Sequence, residues 1–222
     1  MTQKTWTAVD NYVSDLLVGG DAELDEVLAT SIEGGLPEIA VSPAQGKFLM
    51  LLARAINARR VLELGTLGGY STIWLARALA KGGGVVTVEA DSHHAKVARA
   101  NFERVGLAAL IDLRVGKALD VLPKLATEKG EAFDLVFIDA DKESIPEYFT
   151  WSLKLTRPGS LIIVDNVVRD GAVINAKSSD PNVKGVRRFN EMLAEERKVS
   201  ATTIQTVGIK GYDGFTLALV TG

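Results

Sequence analysis

The stretch FDLVFIDADK, residues 133–142, decides the fold. Leu135, Val136, Phe137 and Ile138 are apolar at consecutive positions, so a strand built from them has no polar face. Such a strand belongs inside a sheet that helices cover on both sides. The run breaks off abruptly into Asp139, Ala140, Asp141 and Lys142. A second run of the same kind, LIIV at residues 161–164, breaks off into Asp165 and Asn166. Three shorter β-rich runs lie upstream: VLELG, VVTVEA and LIDLRV. Helical periodicity falls between the runs, at about residues 71–80, 93–105, 118–128, 144–155 and 183–198. This alternation predicts an α/β fold with a mostly parallel sheet. Two last strands, TTIQTV and GFTLALV, flank GIKGYDG and are expected to close as an antiparallel hairpin, with glycines supplying the turn.

Residues 1–57 precede every strand and read as helical, with Val9, Tyr12, Val13, Leu16 and Leu17 at helical spacing. A further helix is expected to start at Ser42 and Pro43, since Ser caps and Pro is tolerated at the first helical position. The 222 residues suit one domain, 1–222, made of this helical region and an α/β core over 58–222. Residues 166–185 are the one long irregular stretch, a length that usually marks a functional loop.

The composition removes several classes of function. There is no cysteine, so thiolate metal sites, thiol nucleophiles and disulfide frameworks are excluded. The formal net charge is −3 and no long basic run occurs, which argues against a nucleic-acid partner. No stretch has the length of a membrane span and the N-terminus does not read as a signal peptide, so a cytoplasmic protein is expected.

Between the first strand and the next helix lies ELGTLGGYS, residues 63–71. Glycines at such a turn let a ligand lie against the backbone and the helix N-terminus. A dinucleotide fingerprint would need a second glycine two residues after Gly65, and Leu67 stands there instead. The turn therefore fits a smaller ligand than a pyrophosphate. Glu89 ends the second strand and is placed to accept hydrogen bonds from ribose hydroxyls, so adenosine is the shared inference. The bland alternative is a tight connection with a solvated Glu89.

Asp139 and Asp165 end what should be neighbouring strands. With Asn166 they offer three oxygens and no nitrogen or sulfur, the ligand chemistry of a hard cation such as Mg²⁺ or Ca²⁺. Two carboxylates so close repel each other, and a cation would reverse that cost. Lys142 could reach the same crevice. An ordinary lysine pKa near 10.4 is too high for a base at neutral pH, and a nearby cation lowers it. The alternatives are a turn at Asp165, a helix cap at Asp139 and a solvated lysine. His93 and His94 open a helix without a third ligand nearby and read as solvated.

In these motifs the chain resembles the cation-dependent O-methyltransferases of the caffeoyl-CoA and catechol type, in their small bacterial form. The resemblance runs from about residue 39 to the C-terminus and rests on VSPAQG at 41–46, ELGTLGGYS at 63–71, FIDADK at 137–142 and the pair Asp165-Asn166. It implies a Rossmann-like methyltransferase fold with a seven-stranded, mostly parallel sheet, a C-terminal antiparallel strand and added N-terminal helices. It further implies that Val41, Glu63, Gly65, Ser71, Glu89, Ala118 and Asp139 surround S-adenosylmethionine. Asp139, Asp165 and Asn166 would hold Mg²⁺, or Ca²⁺ or Mn²⁺. Lys142, with Asp139, would be catalytic, taking the proton from a hydroxyl of a small catechol-like acceptor, of phenylpropanoid or flavonoid type among others. A homodimer is the family's habit. Two departures bear on the acceptor: Arg169 stands where relatives often present an aromatic ring or proline, and Asp141 where the animal catechol enzymes have tryptophan. Arg169 is thus a candidate acceptor contact and an acidic acceptor is conceivable. The rival readings are a transfer-RNA hydroxyuridine O-methyltransferase of the same fold, a nicotinamide-dependent dehydrogenase and a binding module that has lost catalysis.

Overall fold

The computed structural model describes residues 2–128 and 130–222. Its strands are β1 (Arg60–Leu64), β2 (Gly84–Glu89), β3 (Ile111–Val115), β4 (Phe133–Ile138), β5 (Thr156–Asp165), β6 (Val199–Gly208) and β7 (Gly211–Val220). They form one seven-stranded sheet in the order β3-β2-β1-β4-β5-β7-β6. The first five pair in parallel, and β7 runs antiparallel between β5 and β6. The helices are α1 (Gln3–Val13), α2 (Ala22–Glu33), α3 (Pro43–Ala55), α4 (Tyr70–Ala76), α5 (Ser92–Arg104), α6 (Ala118–Thr127), α7 (Ile145–Leu155) and α8 (Pro181–Glu195).

The consecutive apolar residues of β1, β4 and β5 are divided between two cores by the two-residue period of a strand. Val61, Leu135, Phe137 and Ile163 face one way and pack with Leu49 of α3, Ile73 of α4 and Phe102 of α5. Leu62, Leu64, Val136, Ile138 and Val164 face the other and pack with Leu122 of α6, Phe149 of α7 and Phe189 of α8. Each such fully buried side chain contributes about 1.5–3 kcal/mol of transfer free energy. That two-sided burial holds the strand ends in fixed register, with Leu64 opposite Ile138 and Ile138 opposite Val164.

Several boundaries differ from the sequence reading. The last strand in sequence, β7, whose place in the sheet the sequence left open, pairs with β5, because Ala218 and Val220 are buried while β6 is largely exposed. The hairpin turn is confined to Ile209 and Lys210, with Gly211 at φ +95°, so Tyr212, Asp213 and Gly214 belong to β7. The irregular stretch ends earlier than expected: Asp180 caps α8 by accepting from the Asn182 N–H at 2.8 Å, and Pro181 starts the helix. A single 3₁₀ turn, Ala172–Ile174, interrupts it. Helix α4 stops at Ala76, short of residue 80, where the chain instead ties back through the Ala80 N–H to the Ala58 carbonyl.

Helix α1 buries none of its residues. It lies along β6, where Gln3 donates to the Gly208 carbonyl at 2.8 Å and Asp10 accepts from the Ile209 N–H at 2.7 Å. Val9 and Tyr12, with Leu16 and Leu17 in the following π-helical turn, stay more than half exposed. Among the described residues no helix is long and apolar enough to cross a membrane.

Candidate functional site

The carboxyl ends of β1, β2, β4 and β5 meet where the polar candidates collect. Gly65, at φ +97°, follows β1, and a Cβ there would stand 2.2 Å from the Asp139 carbonyl oxygen. Its glycine is therefore demanded by the close passage of the chain leaving β4. Leu67 is itself left-handed, at φ +50°. The turn is tied from two sides. Buried Asn101 donates to the Gly68 carbonyl at 2.9 Å. Glu89 accepts from the Thr66 and Leu67 N–H groups at 3.1 and 2.8 Å through Oε2, and from the Asp91 N–H at 2.9 Å through Oε1. A carboxylate has about four acceptor positions, so Glu89 keeps about one for a ligand hydroxyl. His94 lies 3.7 Å from it, and His93 meets the Gly34 carbonyl at 2.7 Å, so neither ring is simply solvated.

Glu63 is fully buried one strand away. Its carboxylate accepts from Ser71 Oγ and Thr87 Oγ1, each at 2.7 Å, and from Thr72 Oγ1. Burial pushes it up to about 7, against the pull of those three hydroxyls and with a further push from Asp139. Glu63 and Ser71 are thus joined to each other as the sequence grouped them, and Glu63 holds the start of α4. Val41 and Ala118 are buried beside the N-termini of α3 and α6.

Asp139 and Asp165 follow the paired residues Ile138 and Val164 on adjacent strands. Lys142, only 8% exposed, donates from Nζ to Asp139 Oδ1 at 2.8 Å. Asp165 is 5% exposed and is pushed up to about 7, first by burial and then by the charge of Asp139, against Lys142 and two hydrogen bonds. One of those comes from the Asn166 N–H to Oδ1 at 2.9 Å, with Asn166 at φ +57°. Among the described residues no three His, Cys, Asp or Glu side chains gather around one point. The structure brings the two carboxylates to adjacent strand ends, and Asn166, which the sequence grouped with them, meets Asp165 through its backbone N–H. The pair fits a hard divalent cation: its donors are oxygens, and a buried carboxylate beside a second, partly exposed one is the repulsion such an ion relieves.

Arg169 is drawn elsewhere. Asp213 Oδ1 accepts from the Val168 and Arg169 N–H groups at 2.9 and 3.0 Å, and the Arg169 guanidinium stands 3.8 Å from Asp213 Oδ2. Its Nε is buried and makes no hydrogen bond among the described residues. Asp141, the other departure noted in the sequence, accepts from the Tyr148 hydroxyl and from the Ser144 N–H at 3.2 Å, and so holds the start of α7.

The sequence reading missed Gln45. It lies in the first turn of α3, and its Nε2 donates to Asp165 Oδ2 at 2.7 Å. VSPAQG was legible as a helix start, but nothing local says that one side chain of that turn reaches a strand end 120 residues away. Thr72 and Thr87, which complete the hydroxyl cage of Glu63, were missed for the same reason.

A family model described as O-methyltransferase matches residues 19–220. A catechol O-methyltransferase from Niastella koreensis is 51% identical over 220 residues, covering 99% of this chain and 100% of that one. Two crystal structures superimpose closely. The O-methyltransferase from Bacillus cereus, in complex with SAH, has a TM-score of 0.98 at 57% identity and covers 99% of this chain and 100% of its own. The O-methyltransferase TomG from Streptomyces achromogenes, involved in tomaymycin synthesis and in complex with SAM, has a TM-score of 0.97 at 55% identity, with 100% of each chain covered.

Proposed function

The chain belongs to the O-methyltransferase family, and from that premise we propose that it moves the methyl group of S-adenosylmethionine to a hydroxyl of a small catechol-like acceptor, beside a divalent cation held by Asp139, Asp165 and Asn166. Use of S-adenosylmethionine follows from the family and from the SAH- and SAM-bound relatives. A nicotinamide dehydrogenase drops out with it. The observation that carries the finer reading is the single cluster of Asp139, Lys142 and Asp165 at adjacent strand ends, next to the turn that Gly65 opens.

In this reading the Glu89 carboxylate, already braced by three N–H groups, gives its remaining acceptor position to a ribose hydroxyl. Gly65, Glu63 with Ser71, Val41 and Ala118 wall the adenosyl site. Asp139 contacts the amino group of the methyl donor. A cation on Asp139, Asp165 and Asn166 would acidify the acceptor hydroxyl and hold it in place. Lys142, in its neutral amine form, receives the proton that the acceptor hydroxyl loses and becomes the ammonium, and Asp139 keeps that nitrogen in the crevice at 2.8 Å. The acceptor oxygen gains the methyl, the S–CH₃ bond breaks with its electron pair going to sulfur, and S-adenosylhomocysteine leaves. Positioning supplies much of the rate in such a transfer.

The Arg169 guanidinium, one-third exposed and held by Asp213 only at 3.8 Å, supports an acidic catechol as a preferred acceptor. The exposed apolar row of Val9, Tyr12, Leu16 and Leu17 supports a homodimer formed through α1, and light scattering that finds only monomer at micromolar concentration would remove it. The absence of cysteine accords with a cytoplasmic enzyme.

The deciding experiment measures S-adenosylhomocysteine release over neutral catechols, catechol acids and total RNA, with Mg²⁺ and with chelator. Turnover of catechols that needs Mg²⁺ is expected, with the acids favoured and Arg169→Met erasing that preference. Full activity in chelator would end the cation reading, methylation of RNA alone would end the small-acceptor reading, and no preference for acids would end the role of Arg169.

A further inference from the structure

Asp165 is gripped at both oxygens by neutral donors: Gln45 Nε2 holds Oδ2 at 2.7 Å and the Asn166 N–H holds Oδ1 at 2.9 Å. Asp139 receives one donor, the amine of Lys142. The Gln45 grip is anchored well away from the strands. Its own N–H is capped by Ser42 Oγ at 3.2 Å, so its place in the first turn is fixed. One residue further, a Cβ on Gly46 would stand 2.3 Å from the Trp74 indole, so α3 lies directly against α4 and has no room to slide. Leu49, Met50 and Ala53 bury the rest of that face.

We propose that Gln45 is a positioning residue for the cation: it sets the plane of the Asp165 carboxylate so that lone pairs on its oxygens stay directed into the crevice. The inference rests on the cation reading given above. The donor's chemistry matters here. An ammonium or guanidinium in this place would orient Asp165 equally well, but it would cancel the negative charge that attracts a cation. A neutral amide orients the carboxylate and leaves the charge intact. Without it, one oxygen of a carboxylate that is 5% exposed loses its partner, and the side chain is free to turn towards Lys142. Hydrogen bonds of this kind to ligating groups typically carry about 10–100-fold in metal affinity.

The test is Mn²⁺ binding by the full chain, read from the electron paramagnetic resonance signal of free Mn²⁺, for the parent, Gln45→Met, Gln45→Asn and Asp165→Asn. Met keeps the length without a donor, and Asn keeps the amide but falls short of Asp165. Both are expected to raise the Mn²⁺ Kd about tenfold or more. S-adenosylhomocysteine affinity should stay within about twofold, and kcat should recover to within about threefold at saturating Mg²⁺, a split that a general loss of structure would not give. If one variant fails to fold, the other decides. Mn²⁺ binding that Asp165→Asn abolishes and the Gln45 variants leave within twofold overturns this inference alone. A parent without Mn²⁺ binding overturns it together with the cation reading.

Discussion

Asp134 and Asp165 are carboxylates on neighbouring strands, set at opposite ends of the same sheet, and their surroundings drive them in opposite directions. Asp134, at the start of β4, accepts from the Arg59 and Arg60 N–H groups at 2.8 and 3.0 Å and pairs with Arg157. Burial pushes it up, but those donors prevail and hold it below the usual carboxylate range. Asp165 has burial and the charge of Asp139 against it and is pushed up to about 7. A carboxylate whose donors outweigh its burial reads as part of the scaffold, and one whose neutral donors do not offset burial and a like charge reads as waiting for a ligand. Size of opening points the other way: a cavity of about 860 Å³ lies at the amino end, lined by Arg59, Arg60, Asp112, Glu128 and Lys154. Its charges are mixed, and Asp112 and Glu128 are both held by Arg114, so the volume offers no free carboxylate pair of the kind found at Asp139 and Asp165.

The contrast breaks first at Asp165. Asp165→Ala is expected to abolish Mg²⁺-stimulated transfer, a loss of at least about 10³-fold in kcat/KM, because several kcal/mol of charge stabilisation go with the cation. The fold should survive, since the substitution removes a strained buried charge and no core contact. Activity within tenfold of the parent would place the chemistry elsewhere. Lys142→Met comes next, with turnover falling about 10²-fold or more while S-adenosylmethionine affinity holds. A pH-rate profile that keeps its shape in that variant would reassign the base.

Glu63 sharpens the comparison through stability. Its carboxyl is pushed from 4.5 up to about 7, so the folded chain holds that proton more tightly than the unfolded chain does. The contribution is present in full below about 4.5 and is lost as pH rises through about 7, a span of no more than about 3 kcal/mol. Glu63→Gln should therefore flatten the decline in Tm between pH 5 and pH 8 seen in the parent. Parallel declines in the two proteins would show that the charge of Glu63 is not what the scaffold feels.

The central strands were legible because Leu135 to Ile138 and Leu161 to Val164 leave no face for water, and few structures other than a covered strand accept such a run. Asp139 and Asp165 were legible as the abrupt polar ends of those runs. The place of β7 was not read, although GFTLALV is plainly more apolar than TTIQTV and so belongs further from the edge. Asp180 and Pro181 carried a helix start that Val183, the first apolar residue of the pattern, concealed. Gln45, Thr72 and Thr87 are different in kind: each acts on a residue distant in sequence through one directed hydrogen bond, and periodicity records no such bond. Glu89 was read for a ligand, yet two of its acceptor positions serve the turn after β1 and a third holds the Asp91 N–H.

The smallest expected effect completes the contrast at the other end of the sheet. Asp134→Ala strands the Arg59 and Arg60 N–H groups, and it frees an arginine that is already 60% exposed, which adds little. Losing partners for two backbone donors costs about 1–2 kcal/mol, or roughly 2–8 °C in Tm for a chain of this size. kcat/KM at 25 °C should stay within twofold. The sign with pH is opposite to that of Glu63. A carboxyl held below 3.8 in the folded state stabilises it above that value, and the benefit disappears as pH falls through the folded pKa. The gap between parent and Asp134→Ala should therefore be full above about pH 4 and close only below it, where Glu63 is at its most stabilising. Thermal melts of both variants from about pH 2 to 8 would show the Glu63 trend between about pH 4.5 and 7 and the Asp134 trend below about pH 4. A Tm gap for Asp134→Ala that widens in acid would mean that its carboxylate, too, is short of partners, and the distinction between the two ends of the sheet would fail.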